Sequence, residues 1–229
     1  MTITTTDTTT EPATLIDLTG VDAVRLLGAL RAAAVARATD DVRSILCGVF
    51  LDVTADDGVR LVATDSYRLV VASASVEDVQ PCSQLIPGDI VTPLLKSATP
   101  AKVRRASESV RLAIVVSHDT ADRSTVGVTL TLGAESVTWS SPTFGTFPDY
   151  RMLTHAEGAG ETATDHLAAF NARYLASLAD IVRALDADAA DLPVRLLGLD
   201  SRKASAWELA GARSFGVDVR FLLMPVACS

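Results

Sequence analysis

With 229 residues, 48% of them hydrophobic, the chain is long enough for one or two globular domains, which excludes an intrinsically disordered protein. Its 28 acidic and 20 basic residues give a net charge of −8, so nucleic acid could bind only through a local basic face. Three cysteines without paired spacing (Cys47, Cys82 and Cys228) and the lack of a membrane-spanning apolar stretch predict a cytoplasmic protein that does not contact membranes.

The chain begins with a Thr-rich segment, residues 1–12, that we expect to be disordered. It has no basic cluster and no apolar core, which argues against a secretory signal. A pattern of strand, helix and three strands then occurs three times. The first repeat is predicted to contain a strand at 14–18, a helix at 20–39, and strands at 45–53, 59–64 and 67–74, with the turn Asp56-Asp57-Gly58 after the first of these three.

The second and third repeats follow the same order, separated by a polar, Gly-containing linker. The second repeat is predicted as a strand at 84–87, a helix at 89–98, and strands at 109–117, 125–132 and 136–141. The third is predicted as a strand at 166–170, a helix at 172–185, and strands at 193–199, 204–209 and 214–224. The pattern indicates an α+β protein with antiparallel sheets.

Residues that could carry enzyme chemistry are scattered. His118, His155 and His166 lack the spacing of a zinc site, and Asp65 and Asp149 lie in turns, where aspartate commonly bonds to the backbone. The nucleotide-binding and nucleophile motifs GxxxxGK[ST], GxGxxG and GxSxG do not occur. We therefore expect no enzyme activity, no metal and no cofactor.

Three compound motifs resemble the bacterial DNA polymerase III sliding clamp, the β subunit. LVATDSYRL at 61–69 resembles a strand-turn-strand of the clamp's middle domain, and FGTFPDYRML at 144–153 resembles the end of that domain. FNARYLASL at 170–178, with RFLLMPV at 220–226, resembles the last helix and the C-terminal strand. The three motifs occur in the family's order.

The resemblance implies a DNA-clamp fold, with antiparallel sheets outside and helices inside. Residues 13–154 would form one complete domain of two repeats, 155–164 a linker, and 165–229 half of the last domain. The clamp's first domain would be missing, which suggests a shortened, divergent homologue, such as a phage or mobile-element form. Ser66 and Tyr67 replace the family's usual Gly and His, Met152 replaces a common Arg, and the tail at 227–229 lacks the usual Arg-Leu.

The resemblance also implies a function: a processivity factor that encircles double-stranded DNA without reading its sequence. A hydrophobic groove would bind peptides of DNA polymerase, clamp loader or repair factors. The implied groove residues are Leu46, Thr64, Ser66, Arg68, Leu69, Pro148, Leu153, Leu222, Leu223, Met224 and Pro225. The simpler alternative is that Leu46, Leu69, Leu222 and Met224 are ordinary strand core residues.

Basic residues on the inner helices would face the DNA. We expect this role for Arg25, Lys96, Lys102, Arg104, Arg105 and Arg173. The alternative is that these are ordinary solvated helix charges. Arg25, Arg31 and Arg37 do not share one helical face, so they cannot all point into a hole.

The odd number of repeats predicts self-association. Two repeats complete a domain, so the third would leave a sheet edge unpaired and part of its core uncovered. Pairing with the same repeat of a second chain would give a dimer, and two dimers could close a four-chain ring. A clamp-fold adaptor or competitor that binds clamp partners without encircling DNA is the alternative function.

Overall fold

The computed structural model describes residues 13–55, 58–77, 79–120, 123–154, 169–185, 192–198, 204–210, 212 and 216–226. The predicted disordered start, the turn residues 56–57, the linker 155–164 and Cys228 lie outside these ranges. The strands are β1 (Ala13–Thr19), β2 (Val49–Thr54), β3 (Gly58–Thr64), β4 (Arg68–Ala74), β5 (Cys82–Ile86), β6 (Val110–Thr120), β7 (Arg123–Leu132), β8 (Glu135–Phe144), β9 (Val194–Gly198), β10 (Ser205–Leu209) and β11 (Val217–Leu223). The helices are α1 (Gly20–Ala34), α2 (Gly88–Ser97), α3 (Pro100–Arg105), α4 (Arg151–Thr154) and α5 (Ala172–Leu185).

These strands form two antiparallel sheets, which confirms the α+β prediction. One sheet has the order β1-β6-β7-β8, and the other has the order β5-β2-β3-β4-β11-β10-β9. The first two repeats are interlocked, because the leading strand of each pairs with the first of the three later strands of the other, β1 with β6 and β5 with β2. Neither sheet can therefore form from one repeat alone.

The third repeat extends the sheet of the first repeat within the same chain. Strand β11 pairs with β4 over its whole length, with Leu222 opposite Leu69. One edge of the third repeat is therefore paired within the chain, and the unpaired edge that the sequence predicts lies at β9. The free edges of the longer sheet, among the described strands, are β5 and β9.

Helix α1 is the centre of the main core. Leu26, Leu27 and Leu30 are buried, and alanines occupy much of the remaining helix surface, so strands and another helix approach closely on several sides. The helix packs against β3, β4 and β11, and also against α5, which buries Ile181 and Val182 in the same core.

Some local predictions differ from the structure. Helix α1 ends at Ala34 and not at Thr39, since residues 35–37 form turns. Residues Asp41–Cys47 form a 3₁₀ helix, so the strand predicted from Ile45 begins at Val49. Helix α3 was not predicted, although Pro100 occupies its first turn, where the fixed φ of proline suits a helix start.

Candidate functional site

A small open cavity lies on the sheet face opposite α1. Its volume is about 170 Å³. It is lined by Leu46, Thr64, Ser66, Leu69, Phe147, Pro148, Asp149, Tyr150 and Leu153. The cavity is smaller than a typical drug-sized ligand site, but it has room for an apolar side chain that anchors a larger partner.

One wall of the cavity is the segment at 145–153, which lies across β2. The segment leaves β8 at Gly145, whose φ of +82° is in the region that glycine adopts without strain. The Phe147 ring then stacks on Phe50 of β2 with centroids 4.9 Å apart, and the Tyr150 ring meets Phe50 edge-on at 6.5 Å. These contacts form a second core cluster, separate from the one around α1.

The opposite wall is the turn between β3 and β4. The Asp65 carboxylate accepts hydrogen bonds from the backbone of Tyr67 and Arg68, each at 3.0 Å, and Thr64 Oγ1 accepts one from the Ser66 amide at 3.1 Å. Ser66 adopts a φ of +78°, which explains physically why a glycine suits this position. Its hydroxyl accepts a hydrogen bond from Arg43 at 2.7 Å at the mouth of the cavity.

Six of the eleven groove residues expected from the sequence line this cavity: Leu46, Thr64, Ser66, Leu69, Pro148 and Leu153. Leu222 lies beneath it, in the second core cluster with Leu69. Met224 is 40% exposed, and its amide donates to the Tyr67 carbonyl oxygen at 2.9 Å, beside the turn. Pro225 follows Met224 and is partly buried.

Two of the expected groove residues have other positions. Leu223 is buried in the main core around α1, because alternate strand residues face opposite sides of a sheet. Arg68 pairs with Asp65 at 3.0 Å and lies over the Tyr174 ring of α5 at 5.2 Å. Assigning Leu223 and Arg68 to the walls of the cavity is therefore wrong.

The sequence interpretation missed Phe147, Asp149 and Tyr150 as lining residues, although all three stand inside the quoted FPDYR motif. It also missed Asp52, a fully buried carboxylate in β2. A charged residue within the apolar run from Val49 to Val53 was the available signal, because a buried charge requires partners.

Asp52 is bonded to three side chains. Tyr150 donates its hydroxyl at 2.5 Å, Arg151 Nη2 contacts both carboxylate oxygens at 2.7 and 2.6 Å, and Ser83 donates at 3.0 Å. Burial, followed by the bond to Asp52, raises the pKa of Tyr150 to about 12. The charge of Asp52 raises the pKa of Arg151, and burial raises the pKa of Cys82 beside the same carboxylate.

The basic residues expected to face DNA lie at several places. Lys96 is exposed on α2, Lys102, Arg104 and Arg105 on α3, and Arg173 on α5. Arg25 pairs with Asp22 at 3.1 Å and also donates to the Ser75 carbonyl oxygen.

Arg31 of α1 and Arg37, three residues after the end of α1, form hydrogen bonds with groups of the protein itself. Arg31 donates to the carbonyl oxygens of Ala98 and Ala184, which belong to the C-terminal ends of α2 and α5, and burial lowers its pKa. Arg37 donates to Thr92 Oγ1 at 3.2 Å, and burial lowers its pKa as well.

Within the described part of the chain, no three His, Cys, Asp or Glu side chains are grouped to hold a metal ion. His118 lies in β6, while His155 and His166 fall outside the described ranges. No described helix is long and apolar enough to cross a bilayer.

The two sheets, the helices α1, α2, α3 and α5 in the main core and the apolar cavity on the opposite face define a protein of the sliding-clamp fold. The family model for the central domain of the DNA polymerase III beta subunit matches residues 21–142, over half of the chain. The chain therefore belongs to the DNA polymerase III beta subunit family, as a divergent member. No curated protein matches the sequence significantly.

Solved structures of bacterial clamps share the fold at low sequence identity. A Pseudomonas aeruginosa sliding clamp bound to griselimycin has a TM-score of 0.61 and 17% identity, over 100% of this chain and 68% of that one. The beta chain from Streptococcus pneumoniae has a TM-score of 0.63 and 16% identity, over 94% and 65%. The Thermotoga maritima beta subunit has a TM-score of 0.60 and 16% identity, over 97% and 68%. This chain thus spans about two thirds of the length of these clamps.

Proposed function

We propose that the protein is a sliding-clamp-like processivity factor that binds short apolar peptides of DNA polymerase, clamp-loader or repair partners in the cavity between Leu69 and Leu153. The observation that carries this proposal is the cavity itself, since two separate motifs of the resemblance meet there. The proposed activity is binding and not catalysis.

The surface around the cavity suits an apolar peptide. Tyr67, Leu153, Met224 and Val226 are among the exposed large hydrophobic residues, and they lie next to the turn beside the cavity, on its wall, or on the tail beside it. Methionine and leucine adapt their shape to different apolar anchors. A peptide with one or two large apolar residues would cover this surface and place one side chain in the cavity.

Two neighbouring residues provide a matched test by calorimetry. Leu153 lines the cavity and is 48% exposed, whereas Met152 is 75% exposed and does not line it, so neither replacement should disturb the core. With a peptide of the Gln-plus-apolar type that clamp partners carry, Leu153→Glu should weaken binding about tenfold or more, or about 1.4 kcal/mol. Met152→Glu should bind like the parent.

Equal binding by Leu153→Glu and the parent, or no binding by the parent at millimolar peptide, would contradict the proposed site. Griselimycin provides a second probe, because the Pseudomonas clamp was solved with it bound. Competition between griselimycin and the peptide for this chain would support one shared site.

We further propose that copies of the chain associate to encircle double-stranded DNA. Strand β9 is a free edge of the longer sheet, and its Val194, Leu196 and Leu197 are each about 40% exposed. Pairing of β9 with β9 of a second copy about a two-fold axis would cover this edge and give a dimer, and two dimers could close a four-chain ring. In sedimentation at micromolar concentration, the parent should be a dimer, and Leu196→Lys should be a monomer. A monomeric parent would contradict the pairing.

The exposed basic residues of α3 are the proposed DNA contacts. Replacing both Arg104 and Arg105 by Glu should weaken DNA association and reduce the slope of log affinity against log salt by about two, with peptide binding unchanged. An unchanged salt slope would remove α3 from the DNA-facing surface.

An adaptor that binds clamp partners without encircling DNA is the second candidate. It is favoured by the internal bonds of Arg31 and Arg37, which take two cations away from a DNA-facing role, and by the net charge of −8. Peptide binding without retention on circular DNA would identify this function.

A further inference from the structure

Asp52 is placed where an unpaired charge would be very costly. It is 0% exposed in the middle of β2, between Leu51 and Val53. Leu51 and Val53 face the main core, whereas Phe50, on the same sheet face as Asp52, packs in the second cluster. A buried carboxylate without partners would cost several kcal/mol, so its bonds strongly favour one arrangement of the groups that supply them.

Two of its three partners come from the wall of the cavity. Tyr150 and Arg151 are about a hundred residues away in the sequence, and both donate to the Asp52 carboxylate. The third donor, Ser83, belongs to β5, a strand of the sheet itself. The carboxylate therefore joins the segment at 145–153 to the sheet by directional, charge-assisted bonds.

The same segment carries the lining residues. Tyr150 lines the cavity, its carbonyl oxygen accepts the Leu153 amide at 3.0 Å, and the Asp149 carboxylate accepts the Arg151 amide at 3.1 Å. A movement of Tyr150 and Arg151 would therefore move Leu153 and Asp149 with them. The stacking of Phe147 on Phe50 also holds the segment, but aromatic contact is less directional than the charge-assisted hydrogen bonds to Asp52.

We propose that Asp52 is a positioning residue for the peptide site: through Tyr150 and Arg151 it holds the segment at 145–153 against the sheet and so keeps the cavity open toward Leu69. This inference rests on the proposed function of the cavity. Asp52 and Arg151 do not line the cavity, so they influence a peptide through the wall and not by contact. Peptide affinity should then fall in proportion to the fraction of molecules that keep the wall in place.

Arg151→Gln is the main test variant, because the Arg151 side chain is 46% exposed and its loss leaves Tyr150 and Ser83 on the carboxylate. The control is Arg111→Gln, which removes the arginine of a solvent-exposed pair with Asp17, with contacts of 2.7 and 2.6 Å, on the other sheet. The measurements are peptide binding by calorimetry, amide hydrogen exchange at residues 146–153, and the thermal midpoint.

Arg151→Gln should weaken peptide binding about tenfold and speed up exchange at 146–153, while exchange in the β6–β7 strands stays as in the parent. Arg151→Lys should restore part of the affinity, because a lysine can reach the same carboxylate. Arg111→Gln should leave both readouts unchanged. Asp52→Asn combined with Arg151→Gln should weaken peptide binding no more than the more harmful single change does. Both substitutions break the same contact, the one between Asp52 and Arg151.

Parent-like binding and parent-like exchange at 146–153 in Arg151→Gln would overturn the positioning role, even if Asp52→Asn fails to fold. Additive effects of Asp52→Asn and Arg151→Gln would also overturn it. If the parent binds no peptide, the proposed function fails instead, and the exchange measurement alone still decides whether Asp52 holds the segment.

Discussion

Replacing Tyr150 by phenylalanine should make the protein less sensitive to alkaline pH. In the folded protein the pKa of this hydroxyl is raised from 10.0 to about 12, so between these values the unfolded chain loses the proton first. The raised pKa makes its full contribution to the free energy of unfolding below pH 10, and this contribution is lost as the pH rises to about 12. Two pKa units correspond to about 3 kcal/mol of unfolding free energy.

Urea unfolding at several pH values, with the parent and Tyr150→Phe in parallel, measures this difference. The parent should lose about 3 kcal/mol more than the variant between about pH 10 and pH 12. The near-ultraviolet difference spectrum between the two proteins should show tyrosinate forming late in the folded state. Parallel stability curves would refute the reasoning, because they would mean that Asp52 and burial do not hold this proton.

Gly145→Ala should weaken peptide binding as well as stability, because the added Cβ would lie 2.6 Å from Ile45 Cδ1 at a φ of +82°. Gly133→Ala, at a φ of +64° with only Ser109 Oγ at 4.0 Å, should cost about 1 kcal/mol of stability and leave peptide binding intact; equal binding by both variants would contradict the role of the Gly145 turn. Arg31→Met should lower the unfolding free energy by about 1–3 kcal/mol, since it removes bonds to two helix ends, whereas the exposed Arg183→Met should change it little. Equal thermal midpoints of these two variants would show that Arg31 does not join the helices.

The strand and helix pattern was predictable because local signals agree with the tertiary structure. The helix Ala172–Leu185 has the predicted bounds, since its apolar spacing faces one core and no proline interrupts it. The predicted start of β2 was wrong because the apolar residues of Ile45–Cys47 suit a strand and a 3₁₀ helix equally well. The family resemblance, and not periodicity, supplied the fold name.

Pairing between distant strands could not be read from local patterns. The exchange of β1 and β5 between the first two repeats and the pairing of β4 with β11 depend on contacts far apart in sequence. For the same reason Leu222 and Leu223 were assigned together, although adjacent strand residues face opposite cores. The internal bonds of Arg31 could not be predicted either, because its two carbonyl partners lie on helices that local sequence does not bring near.

Retention on DNA of different topology tests the sliding-clamp role most directly. Protein, with a clamp loader if one is required, is incubated with nicked circular DNA and then passed through a sizing column at high salt, before and after the DNA is linearised. The proposed function predicts that protein stays with the circle and is released from the linear form, because enclosure does not depend on phosphate contacts. Equal retention on circular and linear DNA, or loss from both while peptide binding persists, would contradict encirclement.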